Sequence, residues 1–156
     1  MEDLIELNMR MAQHEFGALD EKHKEYFSYA AGCLASMVST AAELQDFLAK
    51  LPDSKRGHEN AMSVVSLNRE YLNIARLVAK DVAAGQTEKL VAMNINWDQS
   101  LVLAKLTNNE ITKISIHWPG LIYRFSSSVV QQGVRLHAAA ARHHATAVHS
   151  NSNLGR

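Results

Sequence analysis

The chain has 156 residues, 47% of them hydrophobic and 21% charged, so it has the size of one domain, or of one small domain with an appendage, and can bury a core. Its longest apolar runs are too short to cross a bilayer, and its acidic start lacks the basic and apolar regions of a signal peptide. The single cysteine, Cys33, excludes an internal disulfide. We therefore predict a cytoplasmic protein without membrane contact.

The formal net charge is zero, but the two signs are unevenly spread. Residues 1–85 carry 9 Lys and Arg against 13 Asp and Glu, whereas residues 86–156 carry 7 against 3. Such an asymmetry can mark the end of a chain that faces nucleic acid. The basic residues are few for a protein that binds DNA alone, and they fit better a subunit that shares this work with a more basic partner.

The N-terminal third predicts two helices. Residues 2–15 form the first, and Gly17 interrupts it. Asp20 is then expected to cap a long amphipathic helix that ends at Pro52. Its apolar stripe, mostly at steps of three and four, consists of Phe27, Ala30, Ala31, Leu34, Met37, Val38, Ala41, Leu44, Leu48 and Leu51.

A polar connector over residues 52–59 is the best candidate for a boundary between segments. A third helix is predicted for residues 60–84, with Gly85 at its C-terminal end. Two apolar faces run along it, one of Met62, Val65, Leu72, Ala75 and Ala79 and one of Tyr71, Ile74, Val78 and Val82. An apolar arc this wide suggests burial on two sides, as at a subunit interface.

The C-terminal part predicts three further helices. Asn96 can cap a helix through Leu106, and Thr107 with Glu110 forms a capping box that starts a helix ending before Pro119. Two short helices joined so closely suggest a helix-turn-helix. Residues 121–125 are expected to be extended or a buried link, and residues 126–128 to cap a last helix with a Val and Ala stripe.

The fold class that follows is all-α: a compact, dimeric multi-helix domain with a long N-terminal helical extension. We divide the chain into the extension at residues 1–55, the main domain at 56–150 and a disordered tail at 151–156.

Patterns that would indicate catalysis or a cofactor are missing from the sequence. It contains no glycine-rich phosphate loop, no paired cysteines and no His-Glu-x-x-His or Gly-x-Ser-x-Gly motif. His137 and His144 share a helix face, but two turns separate them, so one zinc ion cannot bind both on a single helix. A metal shared between protomers stays an open alternative. Cys33 is expected to be buried rather than reactive. We predict no enzyme, no cofactor and no metal site.

Two sets of residues are candidates for binding. Arg135, Arg142 and His149 repeat at seven and form either a solvated helix face or a phosphate-contacting one, which Arg124, Lys105 and Lys113 could extend. Trp97 and Trp118 bracket the pair of short helices. Core packing is the first expectation for these tryptophans, and a protein–protein hot spot is the alternative.

The most specific pattern lies between residues 71 and 125. Ile95-Asn96 is followed, after six residues, by Leu103-Ala104-Lys105-Leu106-Thr107, and Lys113 stands six residues after that threonine. The pattern also includes Tyr71-Leu72, Ala75-Arg76-Leu77, Asp81, Ile111, Ile114, Leu121 and Phe125. In residue type and spacing, this stretch resembles the FlhD family, the smaller subunits of the FlhD–FlhC activator of bacterial flagellar genes.

The resemblance implies an all-α homodimer that joins an FlhC-like subunit, binds flagellar promoter DNA with it and recruits RNA polymerase. Asp81 matches a family aspartate linked to activity of the complex, so the resemblance implies a partner-binding role for it. The family's DNA-facing residues lie in the C-terminal third, where this chain has Arg124, Arg135 and Arg142. Those three are assigned to DNA by charge alone.

We thus expect a transcriptional co-activator subunit, with Asp81, Trp97 and Trp118 facing protein partners and the three arginines facing DNA. The alternative is a helical adaptor or chaperone module without DNA contact, whose wide apolar arc over residues 60–84 binds a protein or an apolar surface.

Overall fold

The computed structural model describes residues 2–51 and 58–136. This part of the chain forms eight helices and two short strands. In chain order they are α1 (Glu2–Phe16), α2 (Glu21–Ser28), β1 (Ala35–Met37), α3 (Ala41–Lys50), α4 (Met62–Ala83), α5 (Lys89–Met93), α6 (Trp97–Leu103), α7 (Asn108–His117), β2 (Tyr123–Phe125) and α8 (residues 127–136). The predicted helical class is confirmed, although the sheet was not predicted. Most of the predicted connector and the whole predicted tail lie outside the described residues.

The prediction of one long helix between residues 20 and 51 is wrong. The chain leaves α2 after Ser28, forms β1 and begins α3 at Ala41. Asp20 does cap α2, since its side chain accepts a hydrogen bond from the His23 N–H, and this bond holds the pKa of the Asp20 carboxyl below its usual value. α3 has a cap of its own, Thr40, whose hydroxyl oxygen accepts from the Glu43 N–H at 3.1 Å.

Hydrogen bonds from distant segments interrupt the expected helix. The Asn8 side chain donates to the Gly32 carbonyl oxygen at 2.8 Å and accepts from the Leu34 N–H at 2.9 Å. Cys33 N–H donates to the Ala92 carbonyl oxygen at 2.7 Å. These bonds satisfy backbone groups that a continuous helix would have paired locally, so the extended path leaves them with partners.

The two strands form an antiparallel pair. Ala35 lies opposite Phe125, Ser36 opposite Arg124 and Met37 opposite Tyr123. The outer two pairs of side chains are buried, whereas Arg124 is exposed. Residues 121–125 were expected to be extended or a buried link, and β2 shows that the first alternative holds.

α4 lies at the centre of the fold, packed against α1, α5, α6 and α7. Its buried residues are Val65, Leu67, Asn68, Tyr71, Leu72, Ala75, Ala79 and Val82. Helices of the same chain therefore cover most of both predicted faces, and Ile74 and Val78 are only partly covered. At Met62 the prediction is wrong, because this side chain is 79% exposed at the first turn. Gly85 follows the helix with a φ of +108°, as predicted for its C-terminal end.

A buried asparagine ties α4 to the segment that follows α7. The Asn68 amide nitrogen donates to the carbonyl oxygens of Ser115 at 3.2 Å and Gly120 at 3.0 Å, and its oxygen accepts from the Ile122 N–H at 2.8 Å. Asn68 is fully buried. The turn before β2 thus bonds Asn68 of α4 as well as Asn60, which precedes that helix.

Both predicted caps are present in the pair of short helices, and Asn96 forms a capping box that was not predicted. Asn96 caps α6 with Gln99, and Thr107 caps α7 with Glu110. α6 ends at Leu103, three residues before its predicted end. The two helices pack mainly on α4 and much less on each other, so the arrangement lacks the direct helix–helix packing of a helix-turn-helix.

α8 packs closely against the N-terminal helices. Ser126 caps it, as predicted, by accepting from the Val129 N–H. At Gly133 the backbone approaches Phe16 so closely that a Cβ atom would lie 2.2 Å from the ring. The buried His23 ring bonds the Gly133 carbonyl oxygen at 3.1 Å. One core thus joins residues from Leu4 to Val129.

Cys33 is buried, as predicted, although in a loop rather than on a helix. Burial raises the pKa of its thiol to about 11. Because thiolate is the reactive form, we expect Cys33 to react with a disulfide reagent about 100-fold more slowly in the folded protein than in guanidinium chloride at pH 8. The absorbance change of the reagent, followed in native buffer and in guanidinium chloride, gives the two rates. Equal rates would contradict a buried thiol.

Candidate partner-binding surfaces

Most residues of the 71–125 pattern form the core. Tyr71, Leu72, Ala75, Ile95, Leu103, Leu106, Ile111, Ile114 and Phe125 are buried. Asn96 and Thr107 are helix caps. The spacing of the pattern is therefore largely a consequence of packing around α4, and few of its members are free to bind a partner.

Leu77 and Asp81 are members of the pattern that face solvent. They stand four residues apart on one face of α4, and Leu77 is 60% exposed. Both line a groove of about 320 Å³ between α4, α5 and the start of α1. The groove is mainly apolar and is completed by Asp3, Leu4, Ile74, Val78, Lys89 and Ala92. We call this surface the Leu77–Asp81 groove.

An ion pair closes one side of the groove. Lys89 Nζ lies 2.6 Å from Asp81 Oδ2, and both side chains are about two-fifths exposed, at 38% and 42%. Because water screens a pair this exposed, it contributes less than about 1 kcal/mol to folding. Asp81 was selected from the sequence, whereas Lys89 was not, since a helix end and a turn separate the two along the chain.

The structure separates the two tryptophans. Trp118 is half-buried and packs edge-on against Phe47, with ring centroids 5.0 Å apart. Trp97 is 49% exposed, so core packing was the wrong expectation for it. The reason is its place at the first position of α6, on the face that points away from α4. Leu101, one turn later, is 46% exposed and continues this apolar ridge.

The arginines assigned to DNA occupy different elements. Arg124 is exposed at the centre of β2 and lines a groove of about 680 Å³ whose other residues include Glu15, Phe125 and Gln131. Arg135 is exposed on α8, one turn beyond Gln131. Arg142 lies outside the described residues.

Sequence reasoning missed the role of Arg76. Its guanidinium donates to the Leu106 carbonyl oxygen at 3.1 Å and to the side-chain oxygens of Asn108 at 2.7 Å and Asn73 at 3.3 Å. It thereby links α4 to the turn between α6 and α7. The sequence contained its signal, because Arg76 belongs to the same pattern as Leu106.

Within residues 2–51 and 58–136, no group of three or more His, Cys, Asp or Glu side chains is arranged to hold a metal ion. The histidines considered for a shared metal, His137 and His144, lie outside those ranges. No helix in the same ranges is both long and apolar enough to cross a membrane.

Comparison with protein-family models, with curated proteins and with solved structures gave no match.

Proposed function

We propose that this chain is a non-catalytic subunit of a transcriptional activator of the FlhD type. In this proposal it is a cytoplasmic homodimer that binds an FlhC-like subunit and shares the contact with promoter DNA. The observation that carries the proposal is the position of Leu77 and Asp81, pattern residues that the core does not need and that together line an apolar groove.

The physical character of the Leu77–Asp81 groove fits protein binding. An apolar concavity with a charged residue at its rim is the usual receptor for an amphipathic helix, whose apolar side chains fill the groove. The Asp81–Lys89 pair is exposed and adds little to folding, so Asp81 can be changed with little effect on stability. It places a charged group at the rim of the groove, where a partner can meet it.

Two substitutions test the partner surface. We expect Asp81→Asn and Leu77→Lys each to weaken capture of a co-expressed FlhC-like subunit at least tenfold, about 1.4 kcal/mol, while the stability of the chain alone changes by less than about 1 kcal/mol. The measurement is a titrated pull-down of the full chain, with urea denaturation of each variant as the stability readout.

Met62→Lys is the matched control, because Met62 is also an exposed apolar residue of α4 and lies near its other end. It should leave capture unchanged. Wild-type chain that captures no FlhC-like subunit would overturn the proposal as a whole, and variants that bind like wild type would move the partner surface away from the groove.

A helical adaptor without DNA contact is the second candidate. The Trp97–Leu101 ridge favours it, since an exposed tryptophan next to an exposed leucine is typical of a protein–protein hot spot. A chain that captures a protein partner through Trp97, while neither it nor the complex binds DNA at low salt, would make this interpretation the better one.

A further inference from the structure

The Arg76 charge has only neutral partners. All three groups that accept from its guanidinium are amide or carbonyl oxygens. Among the described residues, no carboxylate forms an ion pair with Arg76, and none does so with Arg69, Lys105 or Lys113. A half-buried guanidinium held by neutral oxygens keeps its full positive charge and a fixed position.

Hydrogen bonds from α4 to the start of α7 place Arg76 beside the turn that carries Lys105. Asn68 on α4 contacts Ser115 near the end of α7, and Arg76 contacts Asn108 at its start. α4 and α7 are therefore antiparallel over this stretch. Arg69 lies two turns before Arg76 on the same flank of α4, and Lys105 immediately precedes the residue whose carbonyl oxygen Arg76 binds.

α7 carries one lysine and one acid. Lys113 lies on the side of α7 away from the buried Ile111 and Ile114. Glu110 forms no ion pair with these cations, and its carboxylate accepts from the Thr107 N–H at 3.0 Å. Asn109 adds an uncharged donor and acceptor at the exposed start of α7. We call Arg69, Arg76, Lys105 and Lys113 the α4–α7 cationic surface.

The geometry points to the α4–α7 cationic surface as the place where this chain contacts the phosphate backbone of duplex DNA. This inference rests on the proposed function and changes the surface assigned to it, because Arg124 and Arg135 were chosen by charge alone. Cations without an ion-pair partner suit phosphates, whose contact releases counterions from the duplex, and Arg76 is in addition held in place by its hydrogen bonds. A protein partner is less suited, since it would need several acids placed to match these cations.

The test is fluorescence anisotropy of a labelled mixed-sequence duplex with the full chain at low salt. We expect the double variant Lys105→Glu/Lys113→Glu to weaken binding at least tenfold and to reduce the dependence of affinity on salt by about one to two counterions. The matched control is Lys22→Glu/Lys24→Glu, the same change of charge on exposed residues of α2. It should weaken binding less than threefold, through net charge alone.

The outcomes separate the inference from the proposed function. Equal weakening by both double variants would overturn the inference, because net charge alone would explain it. Loss of binding only in Arg124→Glu/Arg135→Glu would overturn it as well, while leaving the proposed function intact. Absence of DNA binding in wild type, with and without an FlhC-like subunit, would overturn both. Circular dichroism and a thermal melt check that every variant is folded.

Discussion

Replacing Asn68 with aspartate is expected to lower the free energy of unfolding by about 4 kcal/mol at pH 7, because a buried carboxylate would face two carbonyl oxygens. The amide nitrogen now donates to those oxygens, those of Ser115 and Gly120. A carboxylate keeps only the bond accepted from the Ile122 N–H. Urea denaturation of wild type and variant measures the difference.

The pH dependence gives this prediction a second readout. Burial beside carbonyl oxygens raises the pKa of the new carboxyl group above its value in the unfolded chain. The unfolded chain then releases its proton first, so the penalty grows as the pH rises from about 4 and is smallest below that. Asn109→Asp is the control, because Asn109 is exposed near the start of α7, and its effect should stay within about 0.5 kcal/mol. A penalty for Asn68→Asp that does not change with pH would contradict the buried contact.

Gly32→Ala is expected to lower the free energy of unfolding by about 3 kcal/mol, since the added methyl group has no room. A Cβ atom at this position would lie 2.4 Å from the Ala92 carbonyl oxygen and 3.0 Å from its Cα atom. These are backbone atoms of α5 and cannot rotate away. The same carbonyl oxygen accepts from the Cys33 N–H, so relief of the clash breaks that bond. Hydrogen exchange at the Cys33 amide should become faster than in wild type.

Gly17→Ala is the control for Gly32→Ala, because at Gly17 only the backbone conformation disfavours a side chain. Gly17 has a φ of +79°, and a Cβ atom added there would have no neighbouring atom within 4 Å, so alanine should cost only about 1 kcal/mol. If Gly32→Ala costs no more than Gly17→Ala, the loop between α2 and β1 does not pack on α5 as closely as described.

Features that depend on neighbouring residues could be predicted from the sequence. The caps at Asp20, Asn96 and Thr107 each act within three residues, and α4 carries a strong helical period. The prediction of one long helix failed because residues far along the chain interrupt it. Phe27, Leu34 and Leu44 keep a near-helical spacing across a break that Asn8 and Ala92 impose from elsewhere in the chain. Periodicity cannot report a hydrogen bond from a distant segment.

The same distinction between local and distant contacts applies to the candidate surfaces. Asp81 could be selected because the family pattern includes it, yet its pairing with Lys89 depends on how α5 folds back on α4. The exposure of Trp97 depends on which side of α6 meets α4, and a helix of seven residues has too few positions to reveal that side. Asn68 was missed because a polar residue within an apolar helix face gives no sign of the backbone groups that it will bind.

The pairing of β1 with β2 has a consequence for how the chain is made. β1 ends at Met37, whereas its partner begins only at Tyr123, so a ribosome must synthesise residues 38–122 before the sheet can close. Pairing across so long a span has a high entropic cost and slows folding. During that interval, the apolar side chains of the first three helices await the strand and α8 that will cover them. The helices before and after β1 are thus translated well before their packing is complete, and this is when the nascent chain depends most on protection from aggregation.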